Sequence, residues 1–401
     1  MSIREVPDKP GVFDVVVYGR KRADGTRPRQ TKRVAGQRNA ESVHAAFIAA
    51  RDQGKPIGPT GSVSAYLAEW LEGREHNVAA QTFANYSATV RRYINPHVGK
   101  LKLSELTPKD VRSMDARLAK AGLSGSTRLY AYRVLAMAMR QAVLDHEIAF
   151  SPCDSVKPPK SSRTEPPALT PEELLELLTC LEGTLVYLPA VLAFDTGARR
   201  EEILALHWSE VDFAKRTIRI VLAVEQVGNV VRIKEPKSDH SKRRRTLSEP
   251  LIEALKAHRK EQLEFRAKHA NLWRDEDLVF PSRFYHSDDF PMGRIWSPNA
   301  FSHAWRVAMN EVNSRRLGAL VAAGGRVEDF EPWQFGIHRL RHTFITHQLK
   351  SGTRLEIVSR AAGHRDSSVT LRLYSHLFEQ EDAETAVVTG ALLSRLGQTE
   401  G

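Results

Sequence analysis

The 401-residue sequence predicts a multidomain, mainly α fold in three segments. These are a small β-sheet-plus-helix segment (1–56), a four-helix segment (62–156) and an α+β segment (165–401). Three observations carry this reading. Gly/Pro-punctuated breaks interrupt the chain at 51–61 and at Ser151–Pro167, the second with five prolines that suit an extended linker. Apolar residues alternate early in the chain and recur every three or four residues later. The length itself exceeds what one ordinary core organises.

In the first segment, apolar and polar residues alternate from Val12 to Tyr18, and Asp24-Gly25 marks a turn. A basic run from Arg27 to Arg33 resumes the strand pattern, and helical spacing follows over Asn39–Ala50. In the second, Val63, Tyr66, Leu67, Trp70 and Leu71 form one apolar stripe at helical spacing. A second helix is expected over Gln81–Ile94, ending before Pro96. The third starts at Thr107-Pro108, a cap residue before a first-turn proline. The fourth spans Ser126–His146, with Leu129, Tyr132, Leu135, Met139 and Val143 on one face. Aromatic and Met residues at this spacing read as core.

The third segment opens on the same helix-start device, Thr170-Pro171-Glu172-Glu173. Strands are expected at Thr217–Val224, at Val230–Ile233 and near Thr246. Further helices are expected at Glu249–Lys268, Pro298–Val312, His338–Lys350 and Leu355–Ala361. Near the end, Val388, Leu392 and Leu396 recur at four-residue spacing, the pattern of an amphipathic helix.

Composition narrows the partners. Lys plus Arg number 59 against 48 Asp plus Glu, a net +11, which favours a polyanion. Residues 1–60 hold twelve Lys/Arg against six Asp/Glu, so a net +6 sits in this short stretch. The N-terminus Met1-Ser2-Ile3-Arg4-Glu5 lacks the apolar stretch of a signal peptide. The most apolar run, Leu185–Phe194, is too short to span a membrane and contains Pro189. Cys153 and Cys180 stand apart from any His/Cys cluster, so free thiols in a reducing compartment are expected and a zinc site is not. These features predict a cytoplasmic protein with no membrane partner, no metal and no cofactor.

Four short motifs follow in order within the third segment. They are Thr196-Gly197-Ala198-Arg199-Arg200-Glu201-Glu202, then Glu235-Pro236-Lys237-Ser238, then His338-Arg339-Leu340-Arg341-His342-Thr343, then Ala362-Gly363-His364 with Tyr374-Ser375-His376-Leu377 behind it. Each is weak alone. An Arg beside two Glu is more often a surface ion-pair cluster, Lys237 alone is a solvated loop lysine, and a lone Tyr is more often core than nucleophile. His338 and Arg341 lie one helical turn apart and share a face.

Together the motifs resemble the tyrosine recombinase (phage integrase) family, in its heterobivalent integrase form. In that resemblance Arg199, Lys237, His338, Arg341, His364 and Tyr374 match the family's six active-site positions in order. Lys234 is a second candidate for the lysine. The resemblance implies that 1–56 is an arm-site DNA-binding domain, 62–156 a core-site DNA-binding domain and 165–401 the catalytic domain with a tail helix. The basic residues Arg20, Lys21, Arg22, Arg29, Lys32 and Arg33 are candidate DNA contacts of the first. A merely solvated basic hairpin, or a protein contact, remains an equal alternative there. Lys242, Arg243, Arg244 and Arg245 are candidate DNA contacts beside the active site.

The implied partners are double-stranded DNA with core-type and arm-type sites, further copies of the chain in a tetramer joined through the tail, and an accessory directionality or DNA-bending factor. The implied setting is the nucleoid of a bacterial host. The competing readings are a type IB topoisomerase and a non-catalytic DNA-binding regulator.

Elementary chemistry agrees with the resemblance. Breaking a phosphodiester builds negative charge on the non-bridging oxygens, which Arg199 and Arg341 can grip while staying cationic. A phenol with a pKa of about 10 must lose its proton as it attacks, and His338 is the expected acceptor. Lys237 is the expected proton donor to the departing 5′ oxygen, and His364 a hydrogen-bond partner of the phosphate. The product is a 3′-phosphotyrosyl link that a 5′ hydroxyl can reverse, so strand exchange needs no ATP.

Overall fold

The computed structural model describes residues 2–7, 9–18, 29–52, 61–145, 147–148, 151–161, 167–235, 242–287, 291–364 and 366–374. The chain divides into two compact units, Met1–Thr164 and Glu165–Gly401, with the boundary in the Pro-rich stretch.

The first unit begins with strands β1 (Ser2–Val6), β2 (Lys9–Tyr18) and β3 (Arg29–Ala35), followed by helix α1 (Gln37–Asp52). The strands form one antiparallel sheet in the order β1-β2-β3, with Asp14 opposite Arg33 and Val15 opposite Lys32. Val15, Val16 and Ala40 are buried apolar residues among those described. The alternation anticipated β2 and β3 but not β1, which is short and largely polar.

Helices α2 (Val63–Glu75), α3 (Ala80–Thr89), α4 (Asn95–Val98), α5 (Pro108–Lys120) and α6 (Gly125–Leu144) follow. They enclose a core that includes Leu67, Trp70, Ile94, Met114, Leu135 and Met139. Thr107 caps α5 reciprocally: its hydroxyl accepts from the Asp110 amide, and the Asp110 carboxylate accepts from the Thr107 amide. The expected end before Pro96 is corrected. The chain passes from α3 through a π turn at Val90–Ile94 into α4, with Pro96 in the first turn of α4.

The second unit contains α7 (Pro171–Leu181), α8 (Tyr187–Thr196), α9 (Arg200–Leu204), α10 (Glu249–Lys268), α11 (Pro298–Ala322), α12 (His338–Lys350), α13 (Leu355–Ala362) and α14 (Ser367–Tyr374). Its strands are β4 (Val211–Asp212), β5 (Thr217–Ile220), β6 (Ala223–Val227), β7 (Val230–Lys234) and β8 (Arg243–Thr246). The expected single strand Thr217–Val224 is two strands in two sheets. One sheet has the order β4-β5-β8 and the other is the hairpin β6-β7. The main core gathers Leu177, Leu192, Ile203, Leu251 and Phe301 among others. A smaller cluster of Phe344, Ile345, Leu349, Val358, Ala362 and Tyr374 ties α12, α13 and α14 together. The expected tail helix lies outside the described residues.

Candidate active site

Helix α8 ends on Gly197, whose left-handed backbone (φ 67°) turns the chain into α9. A Cβ there would lie 2.6 Å from the Phe344 ring, so glycine is required by conformation and by space. Two residues on, Arg199 caps α9. The Glu202 carboxylate accepts from the Arg199 amide at 2.8 Å and from its Nη1 at 2.9 Å. Arg199 Nη2 donates to the Gly363 carbonyl at 3.2 Å, which links the first motif to the last.

Glu202 is buried, and Arg243 on β8 meets it with two guanidinium bonds of 3.1 and 2.7 Å. Arg243 Nε donates to the Ala361 carbonyl at 2.8 Å. Burial alone would raise the Glu202 carboxyl, but the hydrogen bonds and charge of Arg243, with the charge of Arg199, hold it below the usual carboxylate range. Arg243, a candidate DNA contact from the sequence, thus spends its guanidinium on internal partners.

The reason is the two-residue period of a strand. Arg243 and Arg245 pair across the sheet with Ile220 and Ile218, both buried, whereas Arg244 pairs with Arg219 on the exposed side. Arg245 is accordingly half-buried, with its guanidinium 5.6 Å from the Phe344 ring centroid. Lys242 and Arg244 are exposed, Lys242 bonding Glu235 at 2.7 Å. With Ile357 and Arg360 they line a cleft of about 430 Å3.

Arg341, on the first turn of α12, is only 2% exposed. Its Nη1 donates to the Gly197 carbonyl at 2.5 Å, while its buried Nη2 has no hydrogen-bond partner among the described residues. Burial first, then the charges of Arg199 and Arg243, push this guanidinium down to about 9, still cationic at neutral pH. A buried donor on a cation is a costly thing to leave unmatched unless an acceptor arrives from outside.

His364 follows Gly363, the left-handed cap of α13 (φ 67°). Its Nδ1 meets the buried Thr370 hydroxyl at 2.7 Å. Burial, then the charges of Arg341, Arg199, Arg243 and His338, push this imidazole down to about 4, so it is neutral at physiological pH. His338 stands exposed at the start of α12. Tyr374, the last residue of α14, is 2% exposed, and its hydroxyl meets His342 Nδ1 at 2.8 Å.

Arg199, His338, Arg341, His364 and Tyr374 thus share one electrostatic neighbourhood. Lys237 lies outside the described residues. Lys234 is ion-paired with Glu225, which also accepts from Arg232 at 3.0 and 2.7 Å. Arg20, Lys21 and Arg22 lie outside the described residues, and Arg29 and Lys32 are described only as backbone of β3. Arg33 is committed to Asp14 by two bonds of 2.7 and 2.8 Å, so much of its charge is met within the sheet.

Sequence reasoning missed the buried role of Arg243 and the contact of His342 with the Tyr374 hydroxyl. The alternation of Arg243–Thr246 could have found the first; nothing in the spacing marks the second. Among the described residues, no three His, Cys, Asp or Glu side chains group closely enough to hold a metal ion, and no helix is long and apolar enough to cross a membrane.

Comparison with known proteins gives the same family as the geometry. The profile of the phage integrase family matches residues 167–381, and that of the phage integrase N-terminal SAM-like domain matches 62–114. An integrase of Streptomyces ambofaciens is 26% identical over 388 residues, covering 93% of this chain and 92% of that protein. A tyrosine recombinase XerC-like protein of Caldanaerobacter subterraneus subsp. tengcongensis is 25% identical over 321 residues, 75% of each chain.

Among solved structures, the Tn1549 transposon integrase in complex with a circular intermediate DNA superposes with a TM-score of 0.65 at 20% identity, over 82% of this chain and 99% of that one. A lambda integrase tetramer bound to a Holliday junction gives 0.53 at 15% identity, over 91% and 96%. With a family profile spanning more than half its length, over the residues that build the arginine pocket and its buried tyrosine, the chain belongs to the phage integrase family of tyrosine recombinases.

Proposed function

We propose that Tyr374 attacks a scissile DNA phosphate held by Arg199 and Arg341, leaving a 3′-phosphotyrosyl link and a free 5′ hydroxyl. The observation that carries this reading is the buried Arg341 guanidinium near Arg199 and Tyr374, whose Nη2 lacks an acceptor among the described residues. A phosphate oxygen supplies that acceptor, and its charge offsets what burial costs the cation. The negative charge that grows during attack then falls on groups already in place, with no reorganisation at the moment of reaction.

His364, neutral and oriented by Thr370, offers an imidazole hydrogen bond to the same phosphate without adding a competing proton equilibrium. His338, at the exposed start of α12, is the proton acceptor that the sequence suggests for Tyr374. The lysine assigned to the leaving 5′ oxygen is Lys237, because Lys234 is already engaged by Glu225. The exposed Lys242, Arg244 and Arg360 suit the flanking DNA backbone.

Residues 1–56 serve as an arm-site module and 62–156 as the core-site module. Synapsis joins four copies on DNA, as in the lambda integrase tetramer bound to a Holliday junction. The biological outcome is integration, and excision, of a mobile or phage element.

The test is a nicked core-site duplex that traps the covalent intermediate on a denaturing gel. Tyr374→Phe is expected to bind this DNA nearly as well as the parent and to form no adduct, because only the nucleophilic oxygen is gone. An adduct that survives the substitution places the nucleophile on another tyrosine. Recombinant product, as opposed to relaxed plasmid alone, separates a recombinase from a topoisomerase.

A further inference from the structure

The residue after Arg341 on α12 is His342, and it is half-buried. Its Nδ1 stands 2.8 Å from the Tyr374 hydroxyl oxygen. The two rings are stacked, with centroids 5.1 Å apart and planes 22° apart. Tyr374 is 2% exposed within a buried apolar cluster that includes Phe344, Ile345, Val358 and Ala361, so its hydroxyl meets a chosen neighbour more than bulk water. Helix α12 therefore supplies two groups from adjacent positions, a cation for the phosphate and an imidazole for the nucleophile.

We propose that His342 is a catalytic residue that accepts the Tyr374 proton during attack. The inference rests on the reading of Tyr374 as nucleophile, and it moves the proton-accepting role from His338 to His342. For the phenol to donate, Nδ1 must be unprotonated, so the ring proton resides on Nε2. As the bond from the phenolic oxygen to phosphorus forms, the O–H bond breaks and its proton passes to Nδ1, giving an imidazolium. The bond from phosphorus to the 5′ oxygen breaks, and that oxygen takes a proton from the separate acid assigned above. In the reverse step the 5′ hydroxyl attacks, giving its proton back to the group that supplied it, and the imidazolium returns its proton to the departing phenolate.

A phenol near pKa 10 does not hand its proton to an imidazole near 6.5 in the resting state. It does so only as bond formation lowers the basicity of its oxygen, which is what general-base catalysis requires. Arg341 and Arg199 favour the transfer by stabilising the developing phenolate, and the phosphate they hold brings negative charge to the same neighbourhood as the imidazolium. The geometric requirement for a general base, hydrogen-bond reach of the proton it takes, is met at 2.8 Å.

The experiment follows single-turnover adduct formation on the nicked core-site duplex by the full-length chain. His342→Phe keeps a flat ring for the stack and removes Nδ1. It is expected to slow adduct formation by on the order of 10²–10⁴-fold while leaving DNA binding unchanged. His342→Gln, which can still hydrogen-bond the phenol but cannot carry its proton, should be slow as well. Placing 3,5-difluorotyrosine at position 374 of the His342→Phe protein should recover at least about tenfold of the loss, since a more acidic phenol needs less help from a base.

Adduct formation by His342→Phe at the parent rate or faster would show that the hydrogen bond is a resting contact only. Full activity in His342→Gln would show that positioning suffices, and a loss that fluorination leaves untouched would assign a structural role. Each of these overturns the inference while leaving Tyr374 as nucleophile. Only an adduct in Tyr374→Phe overturns the underlying reading.

Discussion

Four consecutive basic residues, Lys242-Arg243-Arg244-Arg245, carry the same formal charge and do different things. Arg243 neutralises a buried Glu202 and holds the end of α13, whereas Arg244 points to the exposed side of β8. Removing one partner of a buried pair leaves an uncompensated charge in a medium that cannot solvate it, which typically costs about 3–5 kcal/mol. Arg243→Ala is therefore expected to destabilise the catalytic unit by that order and to lose adduct formation with it, because Arg199 loses its support. Arg244→Ala should shift stability by no more than about 0.5 kcal/mol, as exposed substitutions do, yet weaken binding to DNA. Urea unfolding of the two variants, set beside their DNA affinities, checks the contrast; equal stability losses would refute it. Composition displayed the charge of this run but not its direction, since direction depends on which strand β8 pairs with.

At the scale of elements, helix starts were the most legible feature. Thr107-Pro108 and Thr170-Pro171-Glu172-Glu173 announce reciprocal caps whose partners are three residues away, so sequence alone contains the whole interaction. Helix α14 was not anticipated, although it carries Tyr374, because eight residues give too little period and its contacts are with α12 and α13. Two glycines hold these elements at the distances the site needs. A Cβ on Gly197 would come within 2.6 Å of Phe344, and one on Gly363 within 2.7 Å of Arg243 Nη1. Both residues have left-handed backbones, which cost an L-residue roughly 1–2 kcal/mol before any clash is counted. Gly363→Ala is expected to push Arg243 off Glu202 and to depress cleavage more than DNA binding. Gly197→Ala should lower the melting temperature further, since its obstacle is a buried ring and its carbonyl holds Arg341. Calorimetry and single-turnover cleavage on each variant test this ordering.

The whole molecule joins a unit that matches the phage integrase profile, a family legible from six ordered positions, to an N-terminal region whose purpose was not. The six positions were readable because reaction chemistry restricts residue type; a DNA-binding sheet needs only positive charge in roughly the right place. The structure supplies the sheet, β1-β2-β3 with α1 behind it, and it commits Arg33 to Asp14, while residues 1–60 retain a net +6. Association with DNA releases about 0.9 counterions per neutralised phosphate, so each contact made by this region steepens the salt dependence of binding by about that amount. A chain lacking residues 1–60 is therefore expected to cleave an isolated core site at the parent rate, because Arg199, Arg341 and Tyr374 all lie in the other unit. The same truncation should reduce recombination that depends on distal arm sites. On arm-site duplexes, the plot of log affinity against log salt should be steeper for the full chain by at least one contact's worth. If both forms bind every duplex with the same slope, the sheet contacts protein instead of DNA, and its surplus charge serves solubility or a partner's acidic face.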